Sequence, residues 1–177
     1  MGRPITPEEY KQLVARAREA IPGLAVTTDI ILGFPGETQR EFNESLAYIE
    51  RLQFADAHVF PFSPRPGTAA MNLPDRVHSR VAKRRAKRVR DAVANSAKTF
   101  RKSFIGEELT VLWENAEALD ARGWRMSGLS DNYLRVQAHT EQDLWNQLTR
   151  VRIESSDDST LAGTPLATNK GSPGELR

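Results

Sequence analysis

The chain has 177 residues, of which 39% are hydrophobic, 27% charged and 7% aromatic, with a net charge of +2. That is room for one domain or two small ones and too little for a complete (β/α)8 barrel, with the composition of a globular rather than a disordered protein. No apolar run approaches the roughly 20 residues of a membrane span and the N-terminal MGRPITPEEY has no signal-peptide core, so a cytoplasmic protein without a membrane partner is expected. The sequence contains no cysteine, which removes disulfides, thiolate metal sites, cysteine nucleophiles and any cluster held by this chain's own sulfur. His58, His78 and His139 share no helical spacing with one another, so no metal site is expected.

Thr6-Pro7-Glu8-Glu9 reads as a capping box that opens a helix, with Leu13, Val14 and Ala17 at helical spacing and Pro22-Gly23 ending it. Leu24 to Phe34 (LAVTTDIILGF) is a β-branched run with little polar alternation, which predicts a strand covered on both faces with Asp29 its single charge. After the turn Pro35-Gly36-Glu37, Thr38 and Glu41 form a second capping box, and Phe42, Leu46, Ile49 and Leu52 give a helical stripe. Ala55 to Phe62 (ADAHVFPF) reads as a second buried strand, making a right-handed βαβ unit.

A loop rich in proline leads to Asp75, expected to cap a long helix with the apolar stripe Val77, Val81, Val89, Val93, Ala97, Phe100 and Phe104. From Gly106 the period changes to two, and ELTVLWE, WRMSGLS, NYLRVQA and NQLTRVRIES predict a small all-β module of four or five strands. Residues from about Gly163 to the end lack apolar periodicity and predict a disordered tail, 163–177.

Charge is unevenly placed. Residues 76–102 hold eleven Lys and Arg against Asp91 alone, a net +10, while the remainder carries 14 basic and 22 acidic residues, a net −8. A concentrated basic element of this kind predicts a polyanion partner, with Arg65, Lys83, Arg84, Arg85, Lys87 and Arg88 as candidate RNA contacts. In the β module, Arg135, Arg150 and Arg152 stand beside Trp124, Tyr133 and Trp145, a combination of charge and stacking groups suited to RNA; aromatic residues in a small barrel also serve as core.

TDIILGFPGET places glycine directly after a strand and before a helix N-terminus, an arrangement that lets a ligand approach the backbone; equally, Gly33 and Gly36 make a tight βα turn. HVFPFSPRPGT carries the second strand into a loop on the same face, since parallel strands present their carboxyl ends together. Phe60 and Phe62 there read either as ligand neighbours or as core, and His58 reads as a packed core histidine. No acid, base or nucleophile constellation is visible, so no catalytic residue is assigned.

TTDIILGFPGET, HVFPFSPRPGTAA, the basic helix, FIGEELTVLWE and GLSDNYLRV resemble, in order and spacing, the carboxy-terminal half of the radical-SAM tRNA methylthiotransferases, over roughly residues 5 to 162. SPRPGTAA followed by SDNYLRV most resembles the branch that acts on N6-threonylcarbamoyladenosine beside the tRNA anticodon. The resemblance implies an α/β fold in which residues 1–103 are the end of a radical-SAM partial TIM barrel and residues 104–162 a TRAM-type RNA-binding β-barrel. It implies that Asp29, Gly33, Phe34, Gly36, Glu37, Phe60 and Phe62 surround S-adenosylmethionine, and that tRNA is the partner. The family uses two 4Fe-4S clusters held by cysteines; this sequence has none, so it binds no cluster itself. A fragment is therefore expected, inactive alone, needing the amino-terminal half in cis or in trans, with the inner face of its two strands uncovered. The alternative is a stand-alone, non-catalytic RNA-binding protein.

Overall fold

A computed structural model describes residues 4–166. The chain divides into two compact units, Met1–Phe100 and Arg101–Arg177. The first unit begins with helix α1 (Pro7–Ala20), strand β1 (Thr27–Leu32), helix α2 (Gln39–Leu52) and strand β2 (Asp56–Pro61). Both predicted capping boxes form: Thr6 Oγ1 accepts from the Glu9 amide at 3.2 Å, Thr38 Oγ1 accepts from the Glu41 amide at 3.2 Å, and each glutamate reaches back to the threonine amide. The left-handed Gln53 (φ 52°) then ends α2 and turns the chain toward β2.

β1 and β2 pair in parallel, from Thr27 opposite Asp56 to Leu32 opposite Pro61. One face of this pair packs into a core of Leu32, Phe42, Leu46, Ile49, Leu52, Phe54, Ala86, Val89 and Val93. Burying Phe42 completely contributes about 2 kcal/mol through the apolar area it removes from water. The other face is open, which corrects the expectation of strands covered on both sides: Thr27, Asp29, His58 and Phe60 are exposed, and Ile31 and Phe60 each keep 50% of their surface. The apolar run that suggested double coverage carries only one buried face here, because no described element of this unit lies over the second.

Helix α3 (Ser79–Lys102) starts later than expected. Asp75 adopts a left-handed φ of 56°, unlike the extended conformation of a capping residue, and His78 takes the capping position, its carbonyl accepting from the Val81 and Ala82 amides and its Nδ1 from the Arg80 amide. Its buried side is Ala82, Arg85, Ala86, Val89, Val93, Ser96 and Ala97, with Ser96 Oγ donating to the Phe54 carbonyl at 2.8 Å. This helix is too polar to span a membrane, and no other described helix is long and apolar enough either.

In the second unit, β3 (Glu108–Asp120), β4 (Gly123–Ser130), β5 (Arg135–Thr140), β6 (Leu148–Ser156) and β7 (Leu161–Pro165) close a barrel in the order β3-β4-β5-β7-β6. Alternate residues point inward and are buried, among them Val111, Trp113, Met126, Val136, Val151, Ile153 and Leu161. Trp113 is fully buried and its indole N–H donates to Thr149 Oγ1 at 2.8 Å, so the largest core side chain leaves no orphaned donor.

β7 corrects the expected tail. Gly163, Thr164 and Pro165 belong to a strand that pairs antiparallel with β6 and, through Val136–Leu161 and Gln137–Ala162, parallel with β5. Few apolar residues mark this strand because backbone pairing recruits it, and a Cβ on Gly163 would lie 2.3 Å from the Arg152 carbonyl oxygen. The remainder of the expected tail, 167–177, lies outside the described residues.

Candidate functional site

The carboxyl ends of β1 and β2 and the start of α3 enclose a cavity of about 230 Å³ lined by Gly33, Pro35, Pro61, Phe62, Pro64, Arg76, Val77, Ser79, Ala82 and Lys83. Parallel pairing is what brings the loops after both strands to one end. Phe34 meets the Phe62 ring edge to face, centroids 5.1 Å apart, so the two aromatic residues that follow the strands form one wall.

Of the seven residues expected around S-adenosylmethionine, Gly33 and Phe62 line this cavity and Phe34 joins it through Phe62. Gly36 sits at the exposed turn, its amide donating to the Asp75 carbonyl at 2.9 Å. Asp29 lies instead in a separate groove of about 610 Å³ between β1, α1 and α2. On the open sheet face Asp29 is the register neighbour of His58, and Ile31 of Phe60.

Three expectations change on geometry. Gly33, φ 73°, lines the cavity but has no free amide to offer a ligand: that amide donates to the Glu37 carboxylate, and a Cβ there would stand 2.7 Å from the Ala82 Cβ. Glu37 in turn is committed to the protein, with its Oε2 3.2 Å from Arg85 Nη1. His58 is exposed rather than a packed core residue, its ring 6.1 Å from that of Phe60.

The basic helix also sorts its residues. Lys83, Arg84, Lys87 and Arg88 are exposed along α3, and Arg65 is exposed in the loop after β2. Arg85 does not belong with them: it is 6% exposed, donates to the Glu37 carbonyl at 2.9 Å, and lies over Phe42 at 5.2 Å. Arg88 lies over the same ring at 5.1 Å from outside, and Lys87 pairs with Asp91 at 2.7 Å.

On the barrel, Arg135 is exposed, while Arg150 and Arg152 both pair with Glu108, Arg150 at 2.6 Å. Tyr133 keeps 83% and Trp145 63% of its surface, whereas Trp124 is half-buried. Their turns bond to β3 close together, the Asp131 amide to the Thr110 carbonyl and the Asn146 amide to the Trp113 carbonyl. Between them Leu148, Leu112, Leu129 and Arg135 form one cross-strand row on β6, β3, β4 and β5.

Sequence reasoning missed Arg76, Ser79 and Ala82 as cavity residues. The small Ala82 carries no visible hydrophobic signal, and only its four-residue spacing to Ala86 points inward.

No family model matches the chain. Among curated proteins it is 38% identical, over 92% of its length, to the tRNA-2-methylthio-N(6)-dimethylallyladenosine synthase of Geobacillus kaustophilus, and 34% identical over 92% to that of Moorella thermoacetica. It is 34% identical over 86% of its length to the threonylcarbamoyladenosine tRNA methylthiotransferase MtaB of Bacillus subtilis. Over the stretch it shares with them, the chain is similar to tRNA methylthiotransferases of both kinds. It spans about a third of the length of these relatives, 30%, 36% and 34% respectively. The sequence holds no cysteine, and among the described residues no three His, Asp or Glu side chains converge on a possible metal position.

Proposed function

We propose that this chain contributes part of an S-adenosylmethionine site and a tRNA-binding surface to an enzyme that methylthiolates a modified adenosine in tRNA. The observation that carries the reading is the 34–38% identity to methylthiotransferases across about nine-tenths of the chain. We take the substrate to be N6-threonylcarbamoyladenosine beside the anticodon, on the strength of SPRPGTAA and SDNYLRV. Relatives of both branches match at similar identity, so the assay below reads both products.

The residues at the strand ends fit S-adenosylmethionine, the apolar ones its adenosyl end and the cationic ones the carboxylate of its methionyl end. Pro35, Pro61, Phe62, Val77 and Ala82 give an apolar wall, Phe34 stands edge-on behind it, and Arg76 and Lys83 offer cations to a carboxylate. When bound, S-adenosylmethionine supplies the methyl group and the adenosyl radical of this family's chemistry. The same residues do not fit an iron–sulfur cluster, which needs thiolates this sequence does not contain, and no step here passes through one.

On this reading the cluster ligands lie in an amino-terminal half, joined in cis or supplied in trans, and the chain alone is inactive. The open sheet face with Ile31 and Phe60 is what that half covers. The closed five-stranded barrel serves as a TRAM-type module that binds the anticodon region of tRNA, and the exposed face of α3 independently offers cations to phosphates.

The test expresses the chain with and without an amino-terminal polypeptide carrying the cysteines, in cells that lack methylthiotransferase activity. Digested tRNA is then analysed for 2-methylthio nucleosides by mass spectrometry. Product only when both parts are present supports the reading. Failure of both together, with tRNA binding by the chain intact, favours the non-catalytic RNA-binding alternative.

A further inference from the structure

We propose that Arg85 is a positioning residue for the strand-end cavity, acting through the Glu37 carboxylate on the backbone of Gly33; this rests on reading that cavity as the S-adenosylmethionine site. Glu37 Oε2 serves two partners, accepting from the Gly33 amide and pairing with Arg85 Nη1 at 3.2 Å. Arg85 Nη1 also donates to the Glu37 carbonyl at 2.9 Å, and Nη2 approaches Gln39 Oε1 at 3.5 Å. One guanidinium from α3 therefore holds the side chain and the main chain of the turn between β1 and α2, 48 residues away in sequence.

The site is dry enough for this to be directional. The side chains of Arg85 and Glu37 are 7% and 15% exposed, and the Phe42 ring, fully buried, supports the guanidinium at 5.2 Å. Arg85 Nε is buried without a hydrogen-bond partner, so the planar group is fixed by its fork and by the ring beneath it. A buried ion pair adds little net stability, because desolvation offsets attraction, and its residual role is to impose geometry. The geometry imposed here is that of Gly33, a wall of the cavity, and of Phe34 directly after it.

The experiment compares R85M, R85K, E37Q and the double variant E37Q/R85M in the full chain, with K83M as an independent cavity variant. Two quantities are read: the dissociation constant for S-adenosylmethionine by calorimetry, and the chemical shift and hydrogen exchange of the Gly33 amide by NMR. Losing one charged hydrogen bond predicts about tenfold weaker binding in R85M and in E37Q, and no further loss in the double variant. R85K, which keeps the charge but not the fork, recovers part of the affinity, and K83M combines additively with R85M. Additive losses for R85M and E37Q, or an R85M affinity within twofold of the parent, overturn the proposal.

If the parent chain binds no S-adenosylmethionine even with the amino-terminal half supplied, the reading of the cavity fails and the Gly33 amide decides the coupling by itself. Loss of its carboxylate-bonded shift and exchange protection in both R85M and E37Q supports the linkage. An unmoved amide in R85M overturns it, and R85K serves the same comparison if R85M does not fold.

Discussion

Ala82 occupies the space that a side chain on Gly33 would need, the two Cβ positions lying 2.7 Å apart. Because Gly33 also has a φ of 73°, a G33A substitution combines a steric clash with a left-handed backbone. G33A is expected to destabilise the first unit by about 2 kcal/mol in denaturant unfolding. Adding A82G should return the steric share and leave about 1 kcal/mol of backbone strain. Full recovery in the double variant would mean that the backbone term is absent.

In the barrel, T149V keeps the side-chain volume but leaves the buried Trp113 indole N–H without its acceptor at 2.8 Å. The expected cost is about 2 kcal/mol in the unfolding of the barrel, followed by Trp fluorescence, with the first unit unaffected. A change below about 0.5 kcal/mol would indicate that the indole finds another partner.

Charge reversal should separate the solvent face of α3 from its buried side. K83E/R84E/R88E replaces exposed cations and is expected to weaken tRNA binding and to lower the slope of log affinity against log salt by about two to three, with the fold retained. R85E, by contrast, sets a carboxylate against Glu37 in a buried position and should disrupt the first unit itself. Titrations at several salt concentrations with circular dichroism decide both points, and an unchanged slope in the triple variant would remove α3 from the RNA surface.

Several carboxylates are held below their ordinary range: Asp157 by the Ser159 and Thr160 amides, Asp120 by the Arg122 amide, and Glu9 and Glu41 by their capping-box threonines. A carboxyl group whose value is depressed in the folded state releases its proton more readily there than when unfolded. Its stabilising effect is complete above the unfolded value and is lost as the pH falls through the folded one. Stability should therefore decline below about pH 4. D157N and E41Q should flatten that acid limb in denaturant titrations made across the range, and a slope identical to the parent's would show that these carboxyls are held no differently in the folded and the unfolded chain.

Much of the first unit is legible in the sequence because its signals are local. Thr6 with Glu9 and Thr38 with Glu41 mark helix starts by chemistry confined to four residues, and both form as expected. Arg85 is illegible because its burial depends on Glu37, 48 residues earlier, and its neighbours Ala82 and Ala86 are too small to announce a buried stripe. β7 escaped for a related reason: Leu161 is its fully buried anchor, and the rest of the strand is recruited by backbone bonds to β6 that no side-chain pattern encodes. The cavity was half visible, in that the glycine turn and the aromatic residues pointed to the strand ends. Ser79 and Arg76 reach it only because α3 begins four residues after Asp75.

The open face of β1 and β2 has a consequence for how the molecule behaves in a tube. Ile31 and Phe60 present half their surface to water side by side, while the barrel closes on itself without free edges. Whatever molecule shields those two side chains, a partner or a second copy, is linked by mass action to the folding of the first unit. Its melting temperature should then climb with the concentration of the shielding species, while that of the barrel stays constant, and a single calorimetric scan repeated over a dilution series would resolve the two.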